Sequence, residues 1–129
     1  MNHLKLLHTE TTPYVSLNQN GEFEISGKVI PDLEIDFWFP IRAWFNEYMI
    51  NPSENTCFRI KIDCLNTSSS KEILHILYRL NELKERGLSA SVEWIYKDGD
   101  MDMLEVGQDY EHMVKVPFNF SVFLEELVD

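Results

Sequence analysis

The 129-residue chain suits one domain and is too short for two ordinary ones, and with 44% hydrophobic residues it can bury a core without disulfide or metal staples. Twenty-two Asp and Glu face eleven Lys and Arg, a net charge of −11. A surface that acidic repels phosphodiester backbones and anionic lipid, which argues against nucleic acid or a membrane as partner and leaves plain solubility or a basic partner as its meaning.

Residues 1–11 are polar and read as loose chain or a sheet edge. Val15 and Leu17 alternate with Tyr14 and Ser16, and Phe23 and Ile25 alternate with Glu22, Glu24 and Ser26. The Asn20-Gly21 dipeptide between them marks a β-hairpin. Residues 27–34 read as a connection. Asp36 is a candidate cap for a helix running to about Tyr48, with Pro40 tolerated in the first turn and Phe37, Ile41, Trp44, Phe45 and Tyr48 at helical spacing.

Residues 56–64 form the clearest strand, with Phe58, Ile60, Ile62 and Cys64 on one face and Arg59, Lys61 and Asp63 on the other. Such a strand is covered on one side only. A polar run, Asn66 to Ser70, leads into a helix over about Ser70 to Arg86, whose stripe is Ile73, Ile76, Leu77, Leu80 and Leu83. Ser69 and Glu72 have capping-box spacing, which makes Ser69 the expected cap. Leu88 to Lys97 alternates again, Asp98-Gly99-Asp100 turns the chain, and a short helix spans about Met101 to Tyr110. Val114 to Phe120, interrupted by Pro117, reads as an edge strand, and residues 123–128 as a final helical turn. The order β-β-α-β-α-β-α-β implies an α/β fold with a mixed sheet and helices mainly on one face, one domain over residues 1–129.

Four groups of residues carry candidate chemistry. Thr67, Ser68, Ser69 and Ser70 lie between the carboxyl end of a strand and the amino end of a helix, where unpaired N–H groups and the helix dipole favour an anion. A phosphate there adds about −1.5 to −2 charge to the surface without straining the fold; ordinary N-capping explains the same cluster. The run Asp98 to Asp102 resembles the opening of a calcium loop, but its sixth position is Met103 rather than Gly and its last is Asp109 rather than Glu, so a solvated turn is expected and no metal. The four histidines are scattered, and no glycine-rich phosphate loop is present, so neither an enzyme nor a cofactor is expected. Trp38 and Phe39 cannot both join the helical stripe, which leaves them as possible anchors for a partner. Cys57 and Cys64 are seven apart, on opposite faces if they share a strand, and read as buried free thiols of a reducing compartment. Residues 1–10 hold no apolar run of signal-peptide length and no later stretch would span a bilayer, so the expected location is the cytoplasm.

The segment Ile62-Asp63-Cys64-Leu65-Asn66-Thr67-Ser68-Ser69-Ser70-Lys71 resembles the signature of the SiaC family of bacterial regulatory phosphoproteins. Gly27 with Pro31, the Trp94-Ile95-Tyr96 strand, Met103-Leu104-Glu105 and Pro117-Phe118 agree with it in order along most of the chain. The resemblance implies a fold like that of STAS domains, the anti-sigma-factor antagonists. It also implies a phosphorylatable threonine, which carries over to Thr67 alone. In that family a dedicated serine/threonine-type kinase phosphorylates the threonine, a metal-dependent phosphatase removes the phosphate, and the unphosphorylated form binds and activates a diguanylate cyclase, raising cyclic di-GMP. The departures are Asp32, where a Glu commonly follows the proline, and Ser70 in place of an aliphatic residue.

The resulting expectation is a non-catalytic partner-switching protein. Thr67 is its phosphosite, Asn66, Ser68, Ser69 and Lys71 shape the loop and docking face, and Lys71 is a candidate partner for the phosphate. The competing readings are an anti-sigma-factor antagonist acting on an anti-sigma kinase, and a small metal-binding or enzymatic domain.

Overall fold

The hairpin turn is built as the Asn-Gly signal requires. Gly21 has φ of 96°, and a Cβ there would lie 1.9 Å from the Asn55 carbonyl oxygen, so only glycine fits. From that turn the computed structural model, which describes residues 3–125, unrolls as β1 (Leu4–Leu6), β2 (Tyr14–Leu17), β3 (Glu22–Val29), α1 (Phe39–Tyr48), β4 (Asn55–Leu65), α2 (Thr67–Glu85), β5 (Ser89–Lys97), α3 (Met101–Met113) and β6 (Phe118–Phe123). The strands form one six-stranded sheet in chain order. β1, β2 and β3 pair antiparallel; β3, β4, β5 and β6 run parallel, each reached through a helix.

Several boundaries differ from the sequence expectation, each for a physical reason. An extra strand, β1, pairs with β2, because Leu4 and Leu6 gain partial burial there. β3 continues through Gly27 to Val29 rather than giving way to a connection. A register shift against β4 at Gly27 and Lys28 absorbs the irregularity, and Val29 is fully buried. Asp36 does not cap α1. Trp38 is the N-cap residue, without a side-chain bond, while the Asp36 carboxylate is taken by Arg42. β6 begins after Pro117 and runs to Phe123, so the final helical turn does not start there; residues 126–128 lie outside the described residues.

The alternation of the strands puts one face of the sheet under all three helices. Phe23 is the hub. Its ring meets Trp44, Phe45 and Tyr48 of α1 edge-on at 5.3, 5.2 and 5.0 Å between centroids, and Phe58 of β4 at 6.2 Å. Trp94 anchors the other end. It is fully buried, donates its indole N–H to the Met103 carbonyl at 3.0 Å, and packs on Tyr110 and Phe118. The opposite face is polar: Arg59 lies between Glu93 at 3.0 Å and Glu24 at 3.6 Å, exposed pairs of small energetic weight.

Gly107 faces Trp94 so closely that a Cβ would come within 2.5 Å of its Nε1. Trp94 is hydrogen-bonded and enclosed and has nowhere to retreat. Gly107→Ala is therefore expected to lower stability by about 1–3 kcal/mol despite the better helix propensity of Ala, measured as a reduced urea midpoint with unchanged slope.

Candidate functional site

The site is the junction at which β4 ends and α2 begins with no intervening loop. Asn66 makes that junction. Its backbone is extended, its N–H donates to the Val29 carbonyl at 3.1 Å, and its Oδ1 accepts the Ser69 N–H at 3.0 Å. Its Nδ2 donates to the Pro31 carbonyl at 3.3 Å. The N-cap is thus Asn66 rather than Ser69, and the helix starts earlier than its capping-box spacing implied. An amide serves better than a hydroxyl here because it can accept from the helix and donate to the Pro31 segment together.

This start gives the hydroxyl cluster two fates. Thr67 and Ser68, the first two helical residues, are exposed. Ser69 is 0% exposed and its Oγ accepts the Trp38 indole N–H at 3.3 Å. Ser69 therefore belongs to the interior and is removed from the docking face. A signal for this was present: Ser69 stands four residues before Ile73 and so extends the buried stripe. Ser70 Oγ donates to the Thr67 carbonyl at 2.7 Å, and the Tyr110 hydroxyl donates to the Ser70 carbonyl at 2.8 Å. The first turn of α2 is thereby tied to α1 through Trp38, to α3 through Tyr110 and to the β3 end through Val29 and Pro31.

The two aromatic anchor candidates also separate. Trp38 is 5% exposed and spends its only donor on Ser69, so it is a core residue and not an anchor. Phe39 is 65% exposed. Leu33 and Ile35, which the sequence reading passed over as connection, are exposed as well, interleaved with the exposed acids Asp32, Glu34 and Asp36. Their apolar–acidic alternation was the available signal. Glu72, expected in a capping box, instead accepts from Arg42 of α1 at 2.7 Å.

Thr67 borders a shallow hollow of about 500 Å³ lined by Leu33, Asn66, Thr67, Ser68, Lys71, Glu72 and His75. Glu72 and His75 also belong to a groove of about 620 Å³ between α1 and α2, walled by Phe39, Ile41, Arg42, Ile76 and Arg79. Lys71, one turn beyond Thr67, is exposed and makes no ion pair among the described residues. An anion on the Thr67 oxygen would sit at the positive end of a 19-residue helix with that ammonium beside it. Among the described residues no group of three or more His, Cys, Asp or Glu could hold a metal ion. Asp100 of the aspartate-rich turn caps α3 by accepting the Met103 N–H at 3.1 Å. Cys57 and Cys64 are free and half-buried rather than buried. No helix among the described residues is long and apolar enough to cross a membrane.

Comparison with known proteins agrees on one family. The family model described as SiaC family regulatory phosphoprotein matches residues 6–123. An uncharacterized protein of Pseudomonas aeruginosa strain UCBPP-PA14 is 23% identical over 119 residues, covering 92% of this chain and 94% of that protein. SiaC of Pseudomonas aeruginosa superposes with a TM-score of 0.86 at 22% identity, over 95% of this chain and 100% of that one. The chain of the diguanylate cyclase SiaD in complex with its activator SiaC, from the same organism, gives 0.84 at 20% identity, over 93% and 99%. At these identities the structural likeness establishes the fold.

Asn66→Ala is expected to cost about 1–2 kcal/mol through the lost cap, and Asn66→Asp to recover the cap but not the bond to Pro31; chemical denaturation distinguishes them. Burial pushes the Tyr110 phenol up to about 12 from its ordinary value of 10. The neutral form is thus favoured in the folded state, so this contribution to stability is complete below pH 10 and is lost as pH rises from 10 through about 12. Tyr110→Phe should show a shallower fall in stability over that window than the wild type.

Proposed function

Because the chain belongs to the SiaC family of regulatory phosphoproteins, we propose that it is a non-catalytic partner switch whose modified residue is Thr67. In this reading the unphosphorylated protein docks on a diguanylate cyclase in the cytoplasm and activates it. A serine/threonine-type kinase adds the phosphate and a metal-dependent phosphatase removes it. The observation that carries the reading is the opposite fate of adjacent hydroxyls: Thr67 is exposed at the first position of α2, while Ser69 is enclosed. The SiaC chain that superposes on this one is the activator of a diguanylate cyclase, which supports the choice of effector.

The physics of the switch follows from what surrounds Thr67. A phosphate there is welcome to the fold, since the helix end and Lys71 both favour it. It is unwelcome to a partner. Docking against the exposed Leu33 and the neighbouring Phe39 surface would strip water from a group carrying about −1.5 to −2 charges, with few cations near to replace that water. The docking face in this reading comprises Asn66, Ser68, Lys71 and Phe39, without Ser69 and Trp38. Modification then changes affinity while leaving the sheet and helices as they are.

Intact-mass analysis of protein from its native cell should show a single added phosphate mapping to Thr67. Thr67→Ala should keep the cyclase active when kinase and ATP are present, and Thr67→Asp should weaken docking only in part, because one carboxylate carries about half the charge of the phosphate. A Thr67→Ala protein that the kinase still silences would reject the assignment, and recovery of an anti-sigma kinase instead of a cyclase in a pull-down would redirect the effector.

A further inference from the structure

The two edges of the sheet are finished differently. The β1 edge is three residues long and carries Lys5, the usual devices that keep an edge from pairing. The β6 edge is Phe118-Asn119-Phe120-Ser121-Val122-Phe123, six residues without a charge in a chain whose net charge is −11. Val122 is 48% exposed. Among the described residues no strand lies outside β6.

The direction of its hydrogen bonds identifies which groups are open. The Pro117 carbonyl accepts from Val92 N–H and the Phe123 carbonyl from Asp98 N–H, both at 2.9 Å. In a strand the N–H and C=O of one residue point to the same side and alternate along the chain. Residues 117, 119, 121 and 123 therefore turn toward β5, and Phe118, Phe120 and Val122 turn their N–H and C=O groups outward. Pro117 is on the inner side, so its missing N–H does nothing to guard the edge.

We infer that β6 is a self-association edge, pairing antiparallel with β6 of a second copy about a two-fold axis at Phe120. Outward residues must oppose outward residues, which restricts the register. Centring on Phe120 sets Phe118 against Val122 and Asn119 against Ser121, apolar on the helix face and polar on the other. The same register brings the exposed Lys115 of each copy to the Glu125 end of its mate, a complementary charge at both ends; centring on Ser121 loses that match. A second copy is the occupant because two molecules of this charge repel almost everywhere else, and β6 is where they meet without like charges. This register keeps both helix layers on one side of a continuous sheet. The inference is independent of Thr67, which lies on α2.

Sedimentation velocity of the full chain over a range of concentrations is the test. The wild type should show a monomer–dimer equilibrium. Val122→Pro removes an outward N–H and leaves the β5 ladder intact, so it should sediment as a monomer with an unchanged circular dichroism spectrum. Lys115→Glu should raise the dimer dissociation constant by roughly 2- to 30-fold, and Lys115→Glu with Glu125→Lys should recover it. A wild type that is monomeric at every concentration, or a dimer that persists in folded Val122→Pro, overturns the inference. If Val122→Pro does not fold, the charge pair decides: equal dimerisation of Lys115→Glu and wild type overturns it.

Discussion

One side chain, the amide of Asn66, holds the junction on which the site depends. It accepts from the first turn of α2 and donates to the segment after β3, so strand, helix and connecting segment share a single polar group. The apolar stripe from Ile73 to Leu83 sets the rotation of the helix, and Asn66 sets where it starts. Together they decide that Thr67 and Ser68 look outward while Ser69 joins the core. A hydroxyl cap could fill the helical half of this role but would have no donor fixed on the Pro31 carbonyl while accepting from Ser69.

The tethering around that junction explains how a surface modification can coexist with an unaltered fold. Trp38 grips Ser69 from α1 and Tyr110 grips Ser70 from α3. Both bonds are made on the inner side of the first turn, and both leave the Thr67 side chain untouched. The apolar residues beside it, Leu33, Ile35 and Phe39, are exposed and interleaved with carboxylates. Such a surface binds well when its only charges lie at the rim and poorly when a dianion is set among them. The structural demands and the regulatory demand are thus carried by different atoms of adjacent residues.

The sheet separates its duties by face and by edge. Its helix-covered side holds the aromatic cluster around Phe23 and the Trp94–Gly107 contact, its other side is a solvated array of small ion pairs, and its two ends differ in charge and length. Activation surface and sheet edge are consequently separate, and a pair of molecules joined at β6 would present two α2 amino ends from the same side, which suits a symmetric effector.

Much of this was legible in the sequence because it is local. Period-two alternation marks β2, β3, β4 and β5, the Asn-Gly turn closes the hairpin, and helical spacing marks α2; each pattern records which side of one element meets the core. The resemblance carried by residues 62–71 singled out Thr67 as the phosphorylatable residue. What it left ambiguous is instructive. Five consecutive residues, Asn66 to Ser70, are all competent helix caps, and Trp38 and Phe39 are adjacent aromatics before a helix, so local chemistry cannot rank them. The tertiary structure ranked them through partners distant in sequence: Pro31 selected Asn66, Ser69 enclosed Trp38, and Phe39 was left in water. Composition and periodicity determine which faces are buried, but a cap or an anchor is chosen by whichever remote group comes within hydrogen-bond reach once the chain has packed.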